Sequence, residues 1–439
     1  MRILLTGASG FIGQHVLQAL LAEGHDVVCA VRHPPQPPAG NAAHLTWIHA
    51  DFANDTDKAA WLARLSGIDA VINTVGIFRE SGRQTFENLH VRAPRALFAA
   101  CAESHEVQMV VQLSALGADE GANTAYHRSK KTADDYLAAL PLRSCIVQPS
   151  LVYGPGGASA RAFKMLASLP FALRLGDAPQ LVQPIHVDDL AAAIVALLRR
   201  RLHLDEASAA PAGTMARRLA LVGPQALPFI DYLAALRGAL GMGRLRVLRL
   251  PGAAARALAG IGRWLPGSLL DPDALRMLDR GNSADAGPAT RLLGRPPRPI
   301  SSFIAEPGAE RARAKLDWLL PVLRASIAFV WIATAVVSAF VYPAAQSYEL
   351  LARTGIPPAL QPLMLYGASV FDLLLGLGIL LLRRRRWLWL AQLGLIGFYT
   401  VVIAWKLPEF LAHPYGPLIK NLPMLAAIWL LYVLEEKES

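Results

Sequence analysis

The stretch MRILLTGASGFIG, residues 1–13, contains a short apolar strand, a glycine-rich turn and the first residues of a helix. Helical periodicity continues to about Glu23, and a second apolar stretch, DVVCAV, follows at 26–31. A glycine fingerprint between a strand and a helix is the context that a dinucleotide-binding βαβ unit requires. This stretch therefore predicts an α/β Rossmann-type domain with a doubly wound parallel sheet.

Each glycine of the turn has its own expected role. Gly7 allows the tight turn, Gly10 lets the backbone approach a pyrophosphate, and Gly13 permits close packing of helix against strand. The diphosphate is expected at the helix N-terminus, where backbone N–H groups and the helix dipole favour negative charge. The residues of this turn that we expect to contact a cofactor are Thr6, Gly7, Ser9, Gly10, Phe11, Ile12 and Gly13.

Residues after the next strands predict which nucleotide is bound. Arg32 ends the second strand, where an acidic residue would accept hydrogen bonds from the ribose of NAD. A guanidinium group suits a 2′-phosphate, so NADP(H) is favoured over NAD. Asp51, after the third strand, is expected to contact adenine or, alternatively, to cap the next helix. The fourth strand, DAVINTVG at 69–76, ends with Asn73, Thr74 and Gly76, and this small, glycine-ended strand is expected to leave room for the cofactor.

Three residues further along the chain are candidate catalytic groups. Ser114 ends the strand in VVQLSALGAD, and Tyr126 and Lys130 lie four residues apart in the helical stretch AYHRSKKTADDYL. That spacing places both side chains on one helix face. A nearby ammonium group is expected to lower the pKa of the phenol, while Ser114 holds the substrate oxygen. Alternatively, Tyr126 and Lys130 are ordinary residues of a helix surface.

These motifs resemble those of the extended or atypical short-chain dehydrogenase/reductases, which are epimerase/dehydratase-like. The resemblance covers about residues 1–303 and rests on TGASGFIG, LSALGAD, Tyr126-x-x-x-Lys130, QPSLVYGPGG at 148–157 and PIHVDDLA at 184–191. The nearest branch is similar to the nucleotide-binding accessory subunit of respiratory complex I. The resemblance implies cofactor contacts by Gly7, Gly10, Gly13, Arg32, Asp51, Tyr126 and Lys130. It also implies catalysis by Ser114, Tyr126 and Lys130, with a structural role for His186 and Asp188.

The pattern loosens beyond about residue 205. We expect a small cap subdomain over about 205–290, with an amphipathic helix at 227–241 and an apolar stretch with sparse arginine at 251–270. The second stretch is expected to line an apolar pocket, to lie on a membrane surface or simply to pack within the cap. The proline-rich residues 294–308 indicate the end of the domain, followed by a linker at 304–316.

The remaining residues, 317–436, predict an all-α membrane domain. Four apolar segments, at about 319–341, 363–382, 387–405 and 418–434, are each near the roughly 20 residues that cross a bilayer. Basic residues before the first segment and the RRRR turn at 383–386 place both termini in the cytoplasm of a bacterial-type inner membrane. Trp387, Trp389 and Trp405 are expected at the membrane interfaces. HPYGPLIKNLPMLAAIWLL, residues 413–431, resembles the DoxX-like family.

Asp372 falls near the middle of the second segment, where a carboxylate is costly unless it is paired or hydrated. Arg324 in the first segment is a candidate partner. The pair predicts either a site for a quinone, proton or polar ligand, or a structural inter-helix ion pair.

Composition limits the class of partner. The net charge is +10, and the clearest clusters of basic residues, at 311–315 and 383–386, lie beside apolar segments. This arrangement favours anionic lipid as the partner and excludes nucleic acid. The 3 cysteines lack metal-ligand spacing, so no metal site is expected, and they indicate small core residues in a reducing compartment. The N-terminus has no pattern of a signal peptide.

Three functions remain open from the sequence. The first is a membrane-tethered NADP(H)-dependent oxidoreductase that acts on a hydrophobic carbonyl or quinone-like substrate. The second is a non-catalytic NADPH-binding scaffold or assembly factor of a membrane redox complex. The third is a nucleotide-sugar epimerase or dehydratase, which an apolar cap disfavours.

Overall fold

The computed structural model describes residues 1–35, 44–175, 179–203, 216–250, 272–414 and 416–435. The chain forms two compact units, Met1–Ala314 and Lys315–Ser439. Each unit is described by itself below.

A seven-stranded parallel sheet organises the first unit. The strands of the unit are β1 (Arg2–Thr6), β2 (Asp26–Val31), β3 (Leu45–His49), β4 (Ala70–Asn73), β5 (Met109–Leu113), β6 (Ser144–Pro149), β7 (Val152–Tyr153), β8 (Phe171–Leu175), β9 (Leu181–Val182), β10 (Ile185–His186), β11 (Ala216–Leu221), β12 (Leu227–Pro228) and β13 (Arg246–Leu250). The spatial order of the seven strands of this sheet is β11-β6-β5-β4-β1-β2-β3, so the strands that follow β1 extend the sheet first on one side of it and, from β4 onward, on the other. Ligands of such sheets bind at the carboxyl ends of the strands at this point.

Helices cover both faces of the sheet, and this explains why β4 and β5 are buried at every residue. The helices of the first unit are α1 (Phe11–Ala22), α2 (Lys58–Leu62), α3 (Ala93–Glu103), α4 (Ala125–Ala139), α5 (Ala158–Ser168), α6 (Val187–His203), α7 (Phe229–Ala239), α8 (Pro272–Arg280) and α9 (Gly287–Leu293). A π-helical turn, Glu87–Arg92, leads directly into α3. Separate apolar clusters fill the two sides of the sheet. The predicted Rossmann-type domain is therefore confirmed.

A smaller lobe lies beside the sheet and differs in extent from the expected cap. Its core joins Tyr153, Tyr232 and Phe303 with residues of α5 and α7. Within the expected cap at about 205–290, the described residues 216–221 instead form β11, which pairs with β6 at the edge of the main sheet. The expected helix at 227–241 is present as α7. The apolar stretch at 251–270 lies outside the described residues.

The predicted linker at 304–316 is largely helical and packed. Helix α10 (Pro307–Val336) begins inside it. Ile304 and Ala314 are buried in the core of the smaller lobe, and Glu310 pairs with Lys164 of α5. The proline-rich composition of residues 294–308 had indicated the end of the domain and then a linker. Proline is tolerated in the first turn of a helix, so the chain becomes helical from Pro307 onward.

The second unit is helical, with α10, α11 (Ala344–Arg353), α12 (Gln361–Leu381), α13 (Arg386–Lys406) and α14 (Asn421–Leu434). Among the described residues, three helical stretches are long and apolar enough to cross a membrane: 307–341, 358–381 and 386–406. The fourth predicted segment is the apolar helix α14, which has 14 residues and is shorter than a full span. Helix α11 separates the first two segments and had not been predicted.

The expected pairing of Arg324 with Asp372 is wrong. Arg324 Nη2 lies 2.6 Å from Glu435 Oε1 at the end of α14, and Arg385 Nη1 lies 3.5 Å from the same oxygen. Asp372 is buried, and its Oδ1 has no hydrogen-bond partner among the described residues. Trp389 is buried within the second unit, and its indole N–H donates to Glu435 Oε2 at 2.6 Å.

Candidate cofactor and catalytic site

The glycine turn after β1 is closely packed at two of its three glycines. Gly7 adopts φ +77°, in the left-handed region that favours glycine. A Cβ on Gly13 would lie 2.1 Å from the carbonyl oxygen of Gly7, which is backbone and cannot move aside. Gly10 is more open, with only the Gly7 carbonyl oxygen at 3.2 Å from an added Cβ. Gly7 and Gly13 thus build the turn, and Gly10 leaves its outer surface open.

The N-terminus of α1 is available to an anion. Gly10 is its N-cap residue and supplies no side chain to cap the first N–H groups. Such unpaired N–H groups and the helix dipole bind phosphate. Ser9 is exposed beside them, whereas Phe11 and Ile12 are partly buried. An added Cβ on Gly157 would lie 2.9 Å from Phe11 Cζ, so Phe11 packs against the loop after β7.

Arg32 lies directly after β2 and is exposed. Its guanidinium group forms no hydrogen bond or ion pair within the described part of the chain, so it is free to bind a phosphate. Asp51 accepts from Ala53 N at 3.0 Å and from Asn54 Nδ2 at 2.7 Å, so it caps the turn after β3. The next helix, α2, is capped by Asp57 instead.

Buried polar side chains connect the carboxyl ends of the central strands. Thr6 Oγ1 donates to Asn73 Oδ1 at 2.6 Å, and Asn73 Nδ2 donates to Gln112 Oε1 at 2.7 Å. Thr74 Oγ1 donates to the carbonyl oxygen of Thr6 at 2.7 Å. The side chain of Thr6 is therefore used inside the protein and is not available to a cofactor. These bonds fix β1, β4 and β5 in register at the floor of the site.

Tyr126 lies in the first turn of α4 among aromatic rings. Its ring centroid lies 5.1 Å from that of Phe78, 6.2 Å from that of Phe86 and 5.6 Å from that of His90. Phe78 is 57% exposed, so the surroundings of the phenol are apolar and open on one side. This arrangement could not be read from the sequence, because Phe78 belongs to an irregular loop and Phe86 is the residue just before the π-helical turn Glu87–Arg92.

Lys130 lies one turn after Tyr126 and is buried. Its Nζ donates to the carbonyl oxygens of Leu113 at 3.1 Å and Val75 at 3.3 Å. An added Cβ on Gly76 would lie 3.0 Å from this Nζ. A side chain at position 76 would therefore crowd the ammonium group at the strand ends, where the sequence predicts the cofactor.

Ser114 contributes differently from the expectation. Its hydroxyl donates to Asp134 Oδ2, and both side chains are buried. The other carboxylate oxygen, Asp134 Oδ1, has no partner among the described residues. Asp134 follows Lys130 by four residues on the same face of α4, a spacing that could have identified it from the sequence. The hydroxyl proton of Ser114 is thus used in a hydrogen bond to a buried carboxylate.

Burial controls the ionisation of these groups. It raises the pKa of Tyr126 to about 12, opposite to the expected direction, because desolvation disfavours the phenolate and the negative charge of Asp134 acts in the same sense. Burial lowers the pKa of Lys130 to about 8. It raises the pKa of Asp134 to about 7, against the opposing effects of Ser114 and Lys130.

His90 is a further residue of the site that sequence reasoning missed. Its Nε2 accepts from Ile77 N at 3.0 Å, and its Nδ1 lies 2.9 Å from Ser129 Oγ, which donates to the carbonyl oxygen of Tyr126 at 2.8 Å. Burial lowers the pKa of His90 to about 2, so the imidazole is neutral. It joins the loop after β4 to the helix that carries Tyr126.

Outside the site, His186 and Asp188 belong to a structural network. Asp188 Oδ1 lies 2.8 Å from His15 Nδ1, and Asp188 Oδ2 lies 3.3 Å from Arg298 Nη1. The neighbouring Asp189 is fully buried and accepts from Arg295 and Arg298. No group of three or more potential metal ligands occurs within the described ranges.

Comparison with known proteins assigns both parts of the chain. Residues 3–207 match the NAD dependent epimerase/dehydratase family, and residues 328–429 match the DoxX-like family. The chain combines an epimerase/dehydratase-family domain with a DoxX-like domain. This confirms both resemblances drawn from the sequence motifs.

Three individual proteins illustrate the similarity of the epimerase/dehydratase domain. A ceramide reductase from Caulobacter vibrioides is 29% identical over 45% of this chain and 61% of its own length. Subunit 9 of the NADH dehydrogenase [ubiquinone] 1 alpha subcomplex from Arabidopsis thaliana is 26% identical over 44% of this chain and 49% of its own. The chain thus spans about half the length of these relatives. A nucleoside-diphosphate-sugar epimerase from Staphylococcus aureus has the same fold, with a TM-score of 0.54 and 17% identity over 70% of this chain and 100% of its own.

Proposed function

We propose that this protein is a membrane-anchored, NADP(H)-dependent oxidoreductase that reduces a hydrophobic carbonyl substrate. The observation that carries the proposal is the position of Tyr126. Its phenol lies one helical turn from the ammonium group of Lys130 and is surrounded by the apolar rings of Phe78 and Phe86. An acid for a carbonyl oxygen is therefore next to a surface that favours apolar substrate.

The residues at the sheet edge fit a nicotinamide dinucleotide. The uncapped N-terminus of α1 would hold the diphosphate, and the exposed Arg32 would hold a 2′-phosphate, which favours NADP(H) over NAD. The bound nicotinamide would supply the hydride that reduces the carbonyl carbon.

The side chains of this protein would supply the proton and would hold the reacting groups in position. Tyr126 is protonated throughout the neutral range, because burial raises its pKa to about 12. It can therefore donate to the carbonyl oxygen as the alcohol forms. Lys130 is held beside the expected cofactor by Leu113 and Val75, and its positive charge would stabilise the phenolate that remains.

Two further points support a hydrophobic substrate. Three helices of the second unit are long and apolar enough to place the chain in a bilayer, where lipid-soluble substrates concentrate. The name of the Caulobacter relative states that it reduces ceramide, a lipid. We include in the proposal a multi-pass location in an inner membrane with cytoplasmic termini, which follows from the basic residues at 311–315 and 383–386.

A second candidate function is a non-catalytic NADPH-binding subunit of a membrane redox complex. The hydrogen bond from Ser114 to Asp134 favours this second function, because the serine that was expected to bind the substrate oxygen instead donates to a carboxylate in the core. The similarity to a subunit of an NADH dehydrogenase is in line with this alternative.

One set of variants distinguishes the two functions. The full chain in nanodiscs would be titrated with NADPH and NADH, and then assayed with long-chain ketones dissolved in the lipid. Tyr126→Phe is expected to lower turnover by about 10²–10⁴-fold while NADPH still binds. Tyr136→Phe on the same helix is the matched control and should keep full activity. Binding of NADPH without turnover by the unmodified chain would support the non-catalytic subunit.

The nucleotide preference has its own test. Arg32→Ala is expected to weaken NADPH binding by about 10–100-fold, the effect of losing hydrogen bonds to a charged group, and to leave NADH binding unchanged. Equal losses for both nucleotides would contradict the assignment of Arg32 to a 2′-phosphate. If neither nucleotide binds the unmodified chain, the oxidoreductase proposal fails.

A further inference from the structure

The smaller lobe carries a two-stranded ribbon that the proposed catalysis does not use. Strands β8 and β13 pair in parallel and form a sheet of their own. Val247 and Leu248 are consecutive residues of β13, so their side chains point to opposite faces of the ribbon. They are 43% and 50% exposed, and Phe171 of β8 is 46% exposed. Large apolar side chains therefore face solvent on both faces.

Positive charge surrounds these apolar residues. Residues 237–250 contain four arginines and no acidic residue, and 164–175 also lack acidic residues. Arg237 is occupied with the carbonyl oxygens of Ala167 and Leu169. The other three, Arg244, Arg246 and Arg249, are exposed and form no ion pair with any acidic residue in the described ranges. The register places Arg246 beside Phe171.

An exposed apolar strand of this kind favours aggregation through its open edge and faces unless another surface buries it. A protein partner would normally cover one face of a thin ribbon and leave the other in water. The interfacial region of a bilayer surrounds both faces at once. Exposed arginines beside apolar residues are also the composition of segments that bind anionic membrane surfaces.

We propose that the β8–β13 ribbon inserts Phe171, Val247 and Leu248 into the surface of an anionic bilayer. The exposed arginines bind the lipid phosphates around the insertion. This contact is a docking function of the first unit, separate from the apolar helices of the second unit. It does not depend on whether the chain turns over a substrate.

Fluorescence quenching in nanodiscs tests the insertion on the full chain. The three native cysteines are 0–1% exposed, so a cysteine introduced as Val247→Cys can be labelled selectively with an environment-sensitive dye. His105→Cys, at an exposed position outside the ribbon, is the matched control. In discs with anionic and brominated lipids, the dye at 247 should be quenched and the dye at 105 should not.

The charge dependence is tested by Arg244→Gln, Arg246→Gln and Arg249→Gln. The ratio of docked to undocked protein should fall about five-fold for each arginine removed. Replacing the anionic lipids of the discs by zwitterionic lipids should lower the same ratio for the unmodified chain. Added salt should also weaken docking of the ribbon in the chain that keeps its arginines. The charge dependence can therefore be measured even if an arginine variant fails to fold.

Three results would overturn the proposal. The first is equal quenching at positions 247 and 105. The second is quenching at 247 that is independent of lipid charge, salt and the arginines. The third is an apolar dye environment at 247 without quenching by brominated lipid, which would mean that a protein or a second copy of the chain covers the ribbon.

Discussion

The hydroxyl of Ser114 donates to the carboxylate of Asp134 in the interior of the first unit. Ser114 directly follows β5 and Asp134 lies in α4, so this bond joins the sheet to the helix that carries Tyr126 and Lys130. Asp134 Oδ1 is buried without a partner among the described residues, so the carboxylate depends on this serine. The serine expected to bind substrate therefore positions the helix that carries the candidate catalytic residues.

Ser114→Ala separates these two roles. If the serine is structural, the variant should lose about 1–3 kcal/mol of stability, because a buried carboxylate loses its donor. Turnover per folded molecule should then change less than tenfold. Thermal unfolding and activity of the full chain in nanodiscs measure both. A large loss of turnover with unchanged stability would instead support the role predicted from the sequence.

Asp134→Asn should change how stability depends on pH. Burial raises the folded-state pKa of Asp134 to about 7 from an ordinary value of 3.8, so the folded state favours the protonated acid. Stability from this group is present below pH 3.8 and is lost as the pH rises toward 7. The asparagine variant lacks this loss and still accepts from Ser114. Its melting temperature relative to that of the unmodified protein should therefore rise between pH 5 and pH 7.

Lys131→Gln is a suitable control for that measurement, because Lys131 lies on the same helix and pairs at the surface with Asp135 and Glu120. Exposed pairs contribute little to stability, so its melting temperature should track the unmodified protein across this pH range. If Asp134→Asn tracks it as well, the shifted ionisation of Asp134 is contradicted.

Gly13→Ala and Gly10→Ala should have different effects although both glycines belong to one motif. An added Cβ at position 13 would meet the backbone of Gly7 at 2.1 Å, whereas the nearest atom at position 10 is 3.2 Å away. Gly13→Ala is therefore expected to cost about 1–3 kcal/mol of stability and to abolish nucleotide binding. Gly10→Ala should fold nearly normally and bind NADPH more weakly. Equal unfolding temperatures for both variants would contradict this difference.

A double-mutant cycle should distinguish the observed from the predicted partner of Arg324. Arg324→Gln and Glu435→Gln are expected to be coupled, with an energy between the ~1 kcal/mol of exposed ion pairs and the ~3–5 kcal/mol of buried ones. Arg324→Gln and Asp372→Asn should be additive. Unfolding of the full chain in detergent provides both energies. Coupling to Asp372 alone would contradict the ion pair with Glu435.

Part of the site follows directly from local sequence. A strand, a glycine turn and a helix occur within residues 1–23, so the βαβ unit and the roles of Gly7 and Gly13 could be predicted without the structure. The spacing of Tyr126 and Lys130 equally fixes one helix face. The apolar lengths of α12 and α13 were also predictable, because a membrane span requires a continuous run of apolar residues.

Only the tertiary structure decided which side chains from distant parts of the chain contact each other. Ser114 bonds to Asp134, Arg324 pairs with Glu435, and Phe78 and His90 pack against Tyr126. A sequence pattern gives the period and face of one element. The partner of a side chain depends on which other element packs against that face, and hence on distances that arise only when the whole chain has folded.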